Sequence, residues 1–315
     1  MRLPATLLLA ACATFFAASP ASAVIISGGD GSGNKTAPDG DQGWSYVGVV
    51  EHDSFVYLGN GWAITAYHVA HKITDSSTVE LDGSSYAVAA GSVQQLTNNY
   101  GTLADLAMFQ LQTPPPALSG VSIASGDITG VTAIGYGKDR ATLPTYWDAG
   151  WNETTSSSAV YTGYKWIPNT LTKRWGTNIL SGSLPDLETR DGARFGGITD
   201  CLLTTFDANG GPNEMQASDG DSGGGVFVQQ DGVWNLAGIM LAVGSGPSDI
   251  TKPDSLATTA VYGDETAFAD LRPYAGQIQD IMGVPEPSAL ALLAAAGIAG
   301  GLLWRRKAAR RAVVR

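Results

Sequence analysis

Short apolar runs separated by turn residues dominate the middle of the chain. Six of these runs, each bounded by Gly, Asn, Asp or Ser, predict β-strands at residues 45–50, 55–66, 106–111, 131–137, 225–229 and 235–243. The stretch 271–282 has the period of an amphipathic helix, with Tyr274 and Ile278 on one face and Pro273 in its first turn. Many short strands with one terminal helix predict a β-barrel or a β-sandwich.

A less regular stretch interrupts this pattern at about residues 144–194. It carries four tryptophans: Trp147, Trp151, Trp166 and Trp175. We interpret it as an extended insertion with a small aromatic core of its own.

Composition supports the all-β interpretation and limits the partners. Of the 315 residues, 40 are glycine, 44% are apolar and only 15% are charged, which is typical of a Gly-rich β protein. The net charge of −11 argues against nucleic acid as a partner, because no basic surface is available to meet the phosphates.

The first 23 residues predict a secretory signal peptide. Arg2 precedes an apolar run from residue 7 to 18, and the sequence Ala21-Ser22-Ala23 resembles a signal peptidase site. A buried N-terminal helix would not need that ending. Cleavage at a lipoprotein-like box before Cys12 is the other alternative, but it would leave an apolar region of only about eight residues.

Cysteine usage follows from this signal. Cleavage after residue 23 removes Cys12 and leaves Cys201 alone, so the exported protein has no internal disulfide. Cys201 lies in a strand-like run, where we expect it to be a buried apolar residue.

The C-terminal residues 284–315 combine three features of a sorting segment. A Val284-Pro285-Glu286-Pro287 motif precedes an uncharged stretch at 288–304, and a basic cluster follows. As a helix, that stretch would be about 25 Å long, slightly short of a bilayer core, and the basic cluster predicts a cytoplasmic end.

The segment resembles the PEP-CTERM sorting signal of Gram-negative bacteria. The resemblance implies an exosortase-type partner, a transient transmembrane helix in the inner membrane, and a final place at the cell surface, outside the cell or on the periplasmic side. A plain membrane anchor is the alternative.

A Gly-rich loop at residues 220–224, Gly-Asp-Ser-Gly-Gly, matches two nucleophile motifs. It fits the G-x-S-x-G elbow of α/β-hydrolases and the G-D-S-G-G loop of chymotrypsin-like proteases. The three histidines, His52, His68 and His71, all precede Ser222. An α/β-hydrolase needs its histidine after the serine, so the elbow interpretation fails.

The opposite order, histidine then aspartate then serine, is present. His68 ends the run GNGWAITAYH, Asp105 lies in LADLAMFQL, and Ser222 lies in GDSGGGVF. Together these motifs resemble those of the trypsin/chymotrypsin-like serine proteases over residues 25 to 283. The resemblance implies two six-stranded antiparallel β-barrels with a C-terminal helix, a protease domain at 24–283, and a catalytic site at the barrel junction. Val69 and Ser218 replace two of the family's usual cysteines, which makes the resemblance one to its disulfide-poor bacterial members.

The resemblance assigns a role to each motif residue. Ser222 would attack the scissile carbonyl, His68 would act as general base and then acid, and Asp105 would orient the imidazole. The backbone N–H groups of Gly220 and Ser222 would form the oxyanion hole. A side chain at Gly220 would crowd the substrate carbonyl. No metal or cofactor is expected, and the partner is a protein or peptide substrate.

The same resemblance predicts the substrate pocket. Its floor and wall map to Gln216, Ala217, Leu241, Ala242, Val243 and Gly244. Because Gln216 is uncharged, we expect poor cleavage after Lys or Arg and a preference for apolar or uncharged polar residues. Asp219 near the pocket mouth counts against this expectation. The insertion at 144–194 is expected to border the cleft.

Activation is the last implied feature. In the resembling family a new N-terminal amine inserts beside the aspartate that precedes the catalytic serine, here Asp221. The candidate amine is that of Val24, at the signal cleavage site and some 44 residues before His68. The alternative is an Asp221 held by local backbone N–H groups.

Other interpretations remain open at this stage. His71 could replace His68 as the base, His68 and His71 could form a metal pair, Asp105 could cap a turn, and Ser222 could be an inert turn residue. At the level of function, the alternatives to an exported serine endopeptidase are a catalytically silent surface-binding protein on the same fold and an esterase.

Overall fold

The computed structural model describes residues 24–191, 195–245 and 252–283. The predicted signal peptide, at 1–23, and the predicted sorting segment, at 284–315, therefore lie outside the described residues. Within the described ranges, no helix has the length and apolar content that a membrane crossing requires.

The described residues are predominantly β-structure. The strands are β1 Ile25–Ile26, β2 Val47–Val50, β3 Asp53–Gly59, β4 Trp62–Thr65, β5 Thr78–Leu81, β6 Ser84–Ala87, β7 Gln94–Thr97, β8 Leu103–Gln110, β9 Gly130–Gly135, β10 Asp139–Arg140, β11 Thr145–Trp147, β12 Tyr161–Ile167, β13 Arg174–Asp191, β14 Phe195–Thr205, β15 Met215–Gln216, β16 Gly225–Gln230, β17 Val233–Ser245, β18 Thr259–Val261 and β19 Asp264–Asp270. The α-helices are α1 Tyr67–Ala70 and α2 Ala275–Met282, and 3₁₀ turns occupy Trp44–Tyr46, Ser156–Ser158, Asp254–Leu256 and Arg272–Tyr274.

The first half of the chain forms a seven-stranded antiparallel sheet in the order β6-β5-β2-β3-β4-β8-β7. A bridge between Val88 and Leu111 joins the end of β6 to the end of β8. Two backbone hydrogen bonds, from Ala89 to Gln110 and from Gln112 to Ala87, flank this bridge. Six of the seven strands thus close into a ring, and β7 lies outside it on the edge of β8.

The second half forms a closed barrel in the order β13-β14-β19-β17-β16-β9. The predicted all-β fold class, with six-stranded barrels and a terminal helix, is confirmed. The helix follows the predicted face: Tyr274 and Ile278 are buried, and Gly283 ends α2 in the left-handed conformation with φ 67°.

One hydrophobic core spans the junction of the two barrels. Phe55, Val56 and Ile64 from the first barrel belong to the same buried cluster as Phe227 and Ile239 from the second. Each fully buried side chain of this size contributes about 1.5–3 kcal/mol relative to exposure. The junction is therefore a packed interface to which both barrels contribute side chains.

The less regular stretch divides into two parts in the structure. A small antiparallel sheet contains β10, β12 and β11, with β18 paired to β12, while β13 belongs to the second barrel. The expected insertion, 144–194, therefore extends too far: its last third is barrel strand. Register shifts beside Leu180 and Leu184 break the alternation of β13, which hid this strand in the sequence.

The tryptophans of this stretch do not share one core. Trp147 is fully buried and lies near Trp151, which stacks on Tyr161 with ring centroids 4.0 Å apart. Trp175 packs against the main core. Trp166 instead packs against a separate cluster and reaches the cavity described below.

Candidate active site

His68 lies in helix α1, which directly follows strand β4 of the first barrel. Ala63 and Ile64 of β4 are buried, as is Ala66, which follows the strand. Helix α1 begins at Tyr67. His68 is the second helical residue, and its side chain is only 16% exposed. His71 lies at the other end of α1, where its backbone N–H caps the helix by donating to the Tyr67 carbonyl.

Asp105 holds His68 through two hydrogen bonds. Its Oδ2 lies 2.7 Å from His68 Nδ1, and its Oδ1 accepts the backbone N–H of His68 at 2.8 Å. Asp105 is fully buried on β8, which pairs with β4. The structure thus brings the predicted histidine and aspartate into direct contact and fixes both backbone and ring of His68.

Two threonines of the second barrel support Asp105. The Thr189 hydroxyl donates to Asp105 Oδ2 at 2.5 Å, and the Asp105 backbone N–H donates to Thr199 Oγ1 at 2.9 Å. Burial alone would raise the pKa of Asp105, but the hydrogen bonds and charge attraction of His68, aided by Thr189, outweigh it. The pKa of Asp105 consequently lies below its usual range, and the carboxylate is ionised at neutral pH.

The loop that carries Ser222 docks against the first barrel. The Ser222 carbonyl accepts the backbone N–H of Ser54 at 2.9 Å, while the Thr65 hydroxyl donates to the Ser54 carbonyl at 2.7 Å. A Cβ on Gly223 would lie 2.0 Å from the Ser54 carbonyl oxygen, so only glycine permits this approach. Ser222 is thereby bonded to the start of β3, and Ser54 in turn joins it to Thr65 at the end of β4.

Gly220 is required for a reason that the sequence did not show. Its φ of +94° is in the left-handed region, and a Cβ would lie 2.6 Å from the Tyr136 carbonyl oxygen. The Gly220 carbonyl accepts the Ser54 hydroxyl at 2.9 Å. Backbone conformation and crowding by Tyr136 both call for glycine here, independently of any substrate.

A cavity of about 280 Å³ opens beside Ser222. Its described lining consists of Trp166, Ala217, Ser218, Asp219, Ser222, Met240, Leu241, Ala242 and Val243. Four of the six predicted pocket residues are in this lining: Ala217, Leu241, Ala242 and Val243.

The other two predicted pocket residues lie outside the lining. Gln216 is 1% exposed, because β15 pairs with β1 and its side-chain amide donates to the Glu265 carbonyl at 3.1 Å. Gly244 lies beyond Val243 on an exposed part of β17. Gln216, expected at the pocket floor, is therefore buried away from the described lining.

Asp221 is fully buried next to the start of the described chain. The Ser218 backbone N–H donates to its Oδ2 at 2.8 Å, and the Val24 backbone N–H donates to its Oδ1 at 3.3 Å. Burial raises the pKa of Asp221 to about 7, although these hydrogen bonds favour the ionised form. Both open interpretations thus have a structural basis: local N–H groups hold Asp221, and the nitrogen of Val24 lies within reach.

Arg140 anchors the segment that follows Val24. Its guanidinium donates to four consecutive carbonyls, those of Ile26, Ser27, Gly28 and Gly29, at 2.7–3.2 Å. It also lies over the Tyr164 ring, 3.7 Å from the centroid. The N-terminal segment is therefore fixed against the small sheet that contains β10 and β12, and β1 pairs with β15.

Cys201 occupies the buried place that the sequence predicted. It is a free thiol, 2% exposed, and burial raises its pKa to about 12. It is therefore inert as a nucleophile at neutral pH.

Comparisons with known proteins add information mainly at the C-terminus. Residues 283–307 match the family model described as the PEP-CTERM protein-sorting motif, so the predicted sorting segment is confirmed. A search of curated proteins gives no significant match.

Similar solved structures include two proteases that are described as inactive. Rv3671c of M. tuberculosis H37Rv, a mutant in an inactive form, is 13% identical with a TM-score of 0.43, covering 80% of this chain and 94% of its own. The scabies mite inactivated protease paralogue S-I1 is 14% identical with a TM-score of 0.46, covering 80% and 99%. At these values the similarity does not decide activity, so function has to be inferred from the residues of this chain.

Two residues that position the site were missed by the sequence analysis: Thr189 and Arg140. Each acts across a large sequence separation, for example 84 residues between Thr189 and Asp105, and their short sequence contexts contain no motif that could have identified them. Trp166, from the insertion expected to border the cleft, does line the cavity beside Ser222.

Proposed function

We propose that this chain is an exported serine endopeptidase in which Ser222 is the nucleophile, His68 the general base and Asp105 its orienting carboxylate. The observation that carries the proposal is the paired hydrogen bonding of Asp105 to both the ring and the backbone of His68 at the barrel junction. A turn carboxylate would not need a buried imidazole partner. The Ser222 loop, docked on Ser54, faces the same junction.

The proposed reaction begins with attack of Ser222 Oγ on the scissile carbonyl carbon. His68 Nε2 takes the hydroxyl proton, and the ionised Asp105 stabilises the resulting imidazolium through the Nδ1–H hydrogen bond. The C–N bond then breaks as His68 returns the proton to the leaving amine. Water then attacks the acyl carbon while His68 takes a proton from it, and the bond between that carbon and Ser222 Oγ breaks as His68 returns the proton to Ser222.

Gly220 and Ser222 supply the backbone N–H groups of the proposed oxyanion hole. The left-handed Gly220 and the turn at Asp221–Gly224 fix the direction of this backbone. Each such donor lowers the barrier by about 3–4 kcal/mol in proteases of this mechanism.

The Val24 amine is proposed to complete the site after signal cleavage. A free α-ammonium at this position would meet the buried Asp221 carboxylate at ion-pair distance, given the 3.3 Å between Val24 N and Asp221 Oδ1. Signal peptidase would then be the activating enzyme, with no separate zymogen step.

The sorting segment supports a location outside the cytoplasm for the proposed activity. The PEP-CTERM motif indicates export and membrane-associated sorting. We propose that an exosortase-type enzyme processes the tail at the inner membrane and that the catalytic domain then acts at the cell surface, in the extracellular space or on the periplasmic side.

A serine-reactive fluorophosphonate combined with a peptide-library digest tests the proposal. The mature protein should label once, at Ser222, and cleave internal peptide bonds; Ser222→Ala and His68→Ala should remove nearly all cleavage. Ser157→Ala, at an exposed turn serine, is the matched control and should change neither readout. EDTA should leave the rate unchanged.

Three results would overturn the proposal. Retained cleavage in Ser222→Ala would exclude this nucleophile, and loss of activity with EDTA would point to a metal-dependent reaction. Labelling with ester hydrolysis but without peptide cleavage would make the protein an esterase.

A further inference from the structure

Ser54 lies at the contact between the first barrel and the loop that carries Ser222. It is the second residue of β3 and is fully buried. Its backbone N–H donates to the Ser222 carbonyl at 2.9 Å, and its carbonyl accepts the Thr65 hydroxyl at 2.7 Å. The backbone of Ser54 thus has its own partners, so the side-chain hydroxyl is available for a separate contact.

The Ser54 hydroxyl joins two backbone groups from different segments of the chain. It accepts the Tyr136 N–H at 2.8 Å and donates to the Gly220 carbonyl at 2.9 Å. A hydroxyl has one proton to donate and two lone pairs that accept. Because an N–H only donates and a carbonyl only accepts, the hydroxyl proton has to point at Gly220. The hydrogen bonds therefore run in one direction, from Tyr136 through Ser54 to Gly220, and each bond polarises the next.

Gly220 needs such support because its own backbone is permissive. Glycine adopts the left-handed φ of +94° without strain, but it has more conformations to lose than any other residue. Tyr136 and Gly137 lie beside its Cα, and the Ser54 hydroxyl holds its carbonyl. The φ and ψ angles of this one residue connect its carbonyl to its N–H. Fixing the carbonyl therefore restricts the direction of the N–H.

We infer that Ser54 is a positioning residue for the proposed oxyanion hole: its hydroxyl holds Gly220 in the conformation in which the Gly220 N–H can meet the developing oxyanion. This inference rests on the proposed endopeptidase function and adds a residue that acts through Gly220. It also makes the oxyanion hole depend on both halves of the molecule, because Ser54 belongs to the first barrel, whereas Tyr136 directly follows β9 of the second.

The first test is steady-state hydrolysis of one peptide that the wild type cleaves. Ser54→Ala removes the hydroxyl and adds no bulk. Loss of an oxyanion-hole donor lowers kcat by about 10²–10³, and a donor that is displaced rather than removed should cost less, so we expect kcat to fall about tenfold or more with KM little changed. Ser54→Cys, whose thiol is a weaker donor, should lie between Ser54→Ala and the wild type.

The second test uses a peptidyl trifluoromethyl ketone and the matching alcohol. Ser222 Oγ adds to the ketone carbon, the C=O electron pair moves to the oxygen, and His68 takes the hydroxyl proton, so the adduct has an oxyanion. The alcohol cannot form this adduct. In Ser54→Ala the inhibition constant of the ketone should rise by about the factor by which kcat falls, because the adduct resembles the transition state. That of the alcohol should keep its wild-type value.

Ser77→Ala is the matched control. Ser77 is also buried, and its hydroxyl likewise accepts a backbone N–H, from Thr74 at 3.0 Å, and donates to Glu51 at 2.6 Å. Both partners lie in loops of the first half of the chain. Ser77→Ala should therefore lose stability as Ser54→Ala does, yet leave kcat and both inhibition constants unchanged.

The outcomes separate the two proposals. A folded wild type that neither cleaves peptides nor forms the ketone adduct would contradict the endopeptidase function itself. If the wild type is active and a folded Ser54→Ala keeps its kcat and ketone affinity, or loses ketone and alcohol affinity equally, the positioning role is overturned and the endopeptidase function stands. If Ser54→Ala does not fold, Ser54→Cys decides. A lower kcat with weaker ketone binding and unchanged alcohol binding supports the role, and an unchanged kcat overturns it.

Discussion

The Thr189 hydroxyl lies 2.5 Å from Asp105 Oδ2, the same carboxylate oxygen that contacts His68 Nδ1 at 2.7 Å. Thr189 belongs to β13 of the second barrel, and Asp105 to β8 of the first. One carboxylate oxygen thus joins the two barrels and the imidazole. The orientation of His68 depends in this way on the packing of both halves of the chain.

Replacing Thr189 by valine should lower the rate of the proposed reaction without leaving a cavity in the core. Valine keeps the shape of threonine but removes the donor, and a hydrogen bond to a charged group contributes about 1.5–3 kcal/mol. We expect kcat to fall about tenfold or more with KM little changed, because substrate does not contact Thr189. Steady-state kinetics on a single peptide measures the split.

Thr189→Ser is the conservative control, since it restores the hydroxyl and should recover most of kcat. With less stabilisation of its ionised form, the pKa of Asp105 should rise in Thr189→Val. Equal kcat in Thr189→Val and wild type would show that the hydroxyl does not act on Asp105.

Gly220→Ala should cost both stability and activity. Its left-handed backbone strains any residue with a side chain by about 1–3 kcal/mol, and the new Cβ would lie 2.6 Å from the Tyr136 carbonyl oxygen. Movement of this backbone would displace the proposed oxyanion donor. Denaturant unfolding and peptide hydrolysis together measure the two effects.

Gly232→Ala is the control for strain alone, because Gly232 has a φ of +80° with open space around it. It should lower stability modestly and leave kcat unchanged. A Gly220→Ala variant as stable and active as Gly232→Ala would show that Tyr136 tolerates the side chain and that the loop can shift freely.

The parts of the fold that the sequence revealed are those with local signals. The strand around Ile64 is the buried apolar run that the sequence predicted, and the terminal helix shows its face through Tyr274 and Ile278. The contact between His68 and Asp105 was also predictable, because both residues lie in motifs whose order matches a known chemistry. Local pattern and motif order thus established the fold class and two of the proposed catalytic residues' positions.

The parts that were missed depend on pairing between distant segments. The bulges of β13 break its alternation, so the sequence does not show it as a barrel strand and does not place Thr189 beside Asp105. Motif spacing alone predicts Gln216 at the pocket floor, whereas strand pairing with Ile25 buries it. Strand register and long-range packing determine such positions, and a short stretch of sequence does not reveal either of them.

Arg140→Met should release the N-terminal segment. Methionine retains apolar bulk but removes the donor to the carbonyls of residues 26–29, of which that of the buried Ile26 is the costliest to leave unsatisfied, at about 1–3 kcal/mol. We expect the free energy of unfolding to fall by about 1–3 kcal/mol and the amides near these residues to exchange faster. Denaturant unfolding and hydrogen exchange by mass spectrometry measure the two effects.

Arg272→Met is the matched control, because Arg272 pairs with Asp270 while remaining 35% exposed. Exposed ion pairs contribute only about 0–1 kcal/mol, so this variant should lose little stability. Equal losses in both variants, without faster exchange at residues 24–29, would refute the anchoring role of Arg140.

Burial of Asp221 should make the free energy of unfolding depend on pH. The size of this dependence should differ between chains with and without extra residues before Val24. The pKa of Asp221 is raised from an ordinary value of 3.8 to about 7 by burial, so between these values the folded chain binds more protons than the unfolded one. Stability should therefore be highest below about pH 4, fall by up to about 1.4 kcal/mol per pH unit towards pH 7, and level off above it. This profile applies to a chain with extra residues before Val24.

A chain that begins at Val24 should lose this slope. Its α-ammonium would favour the ionised carboxylate across the 3.3 Å between Val24 N and Asp221 Oδ1, which lowers the pKa of Asp221 towards its ordinary value. Asp221→Asn in the extended chain should also flatten the slope, because no proton is exchanged there. Denaturant unfolding between pH 4 and 8 compares the three proteins, with the extended N-terminus confirmed by mass spectrometry. If the extended chain and the Val24 chain have the same slope and hydrolyse peptides equally fast, Asp221 is held by Ser218 alone and the amine has no part in activation.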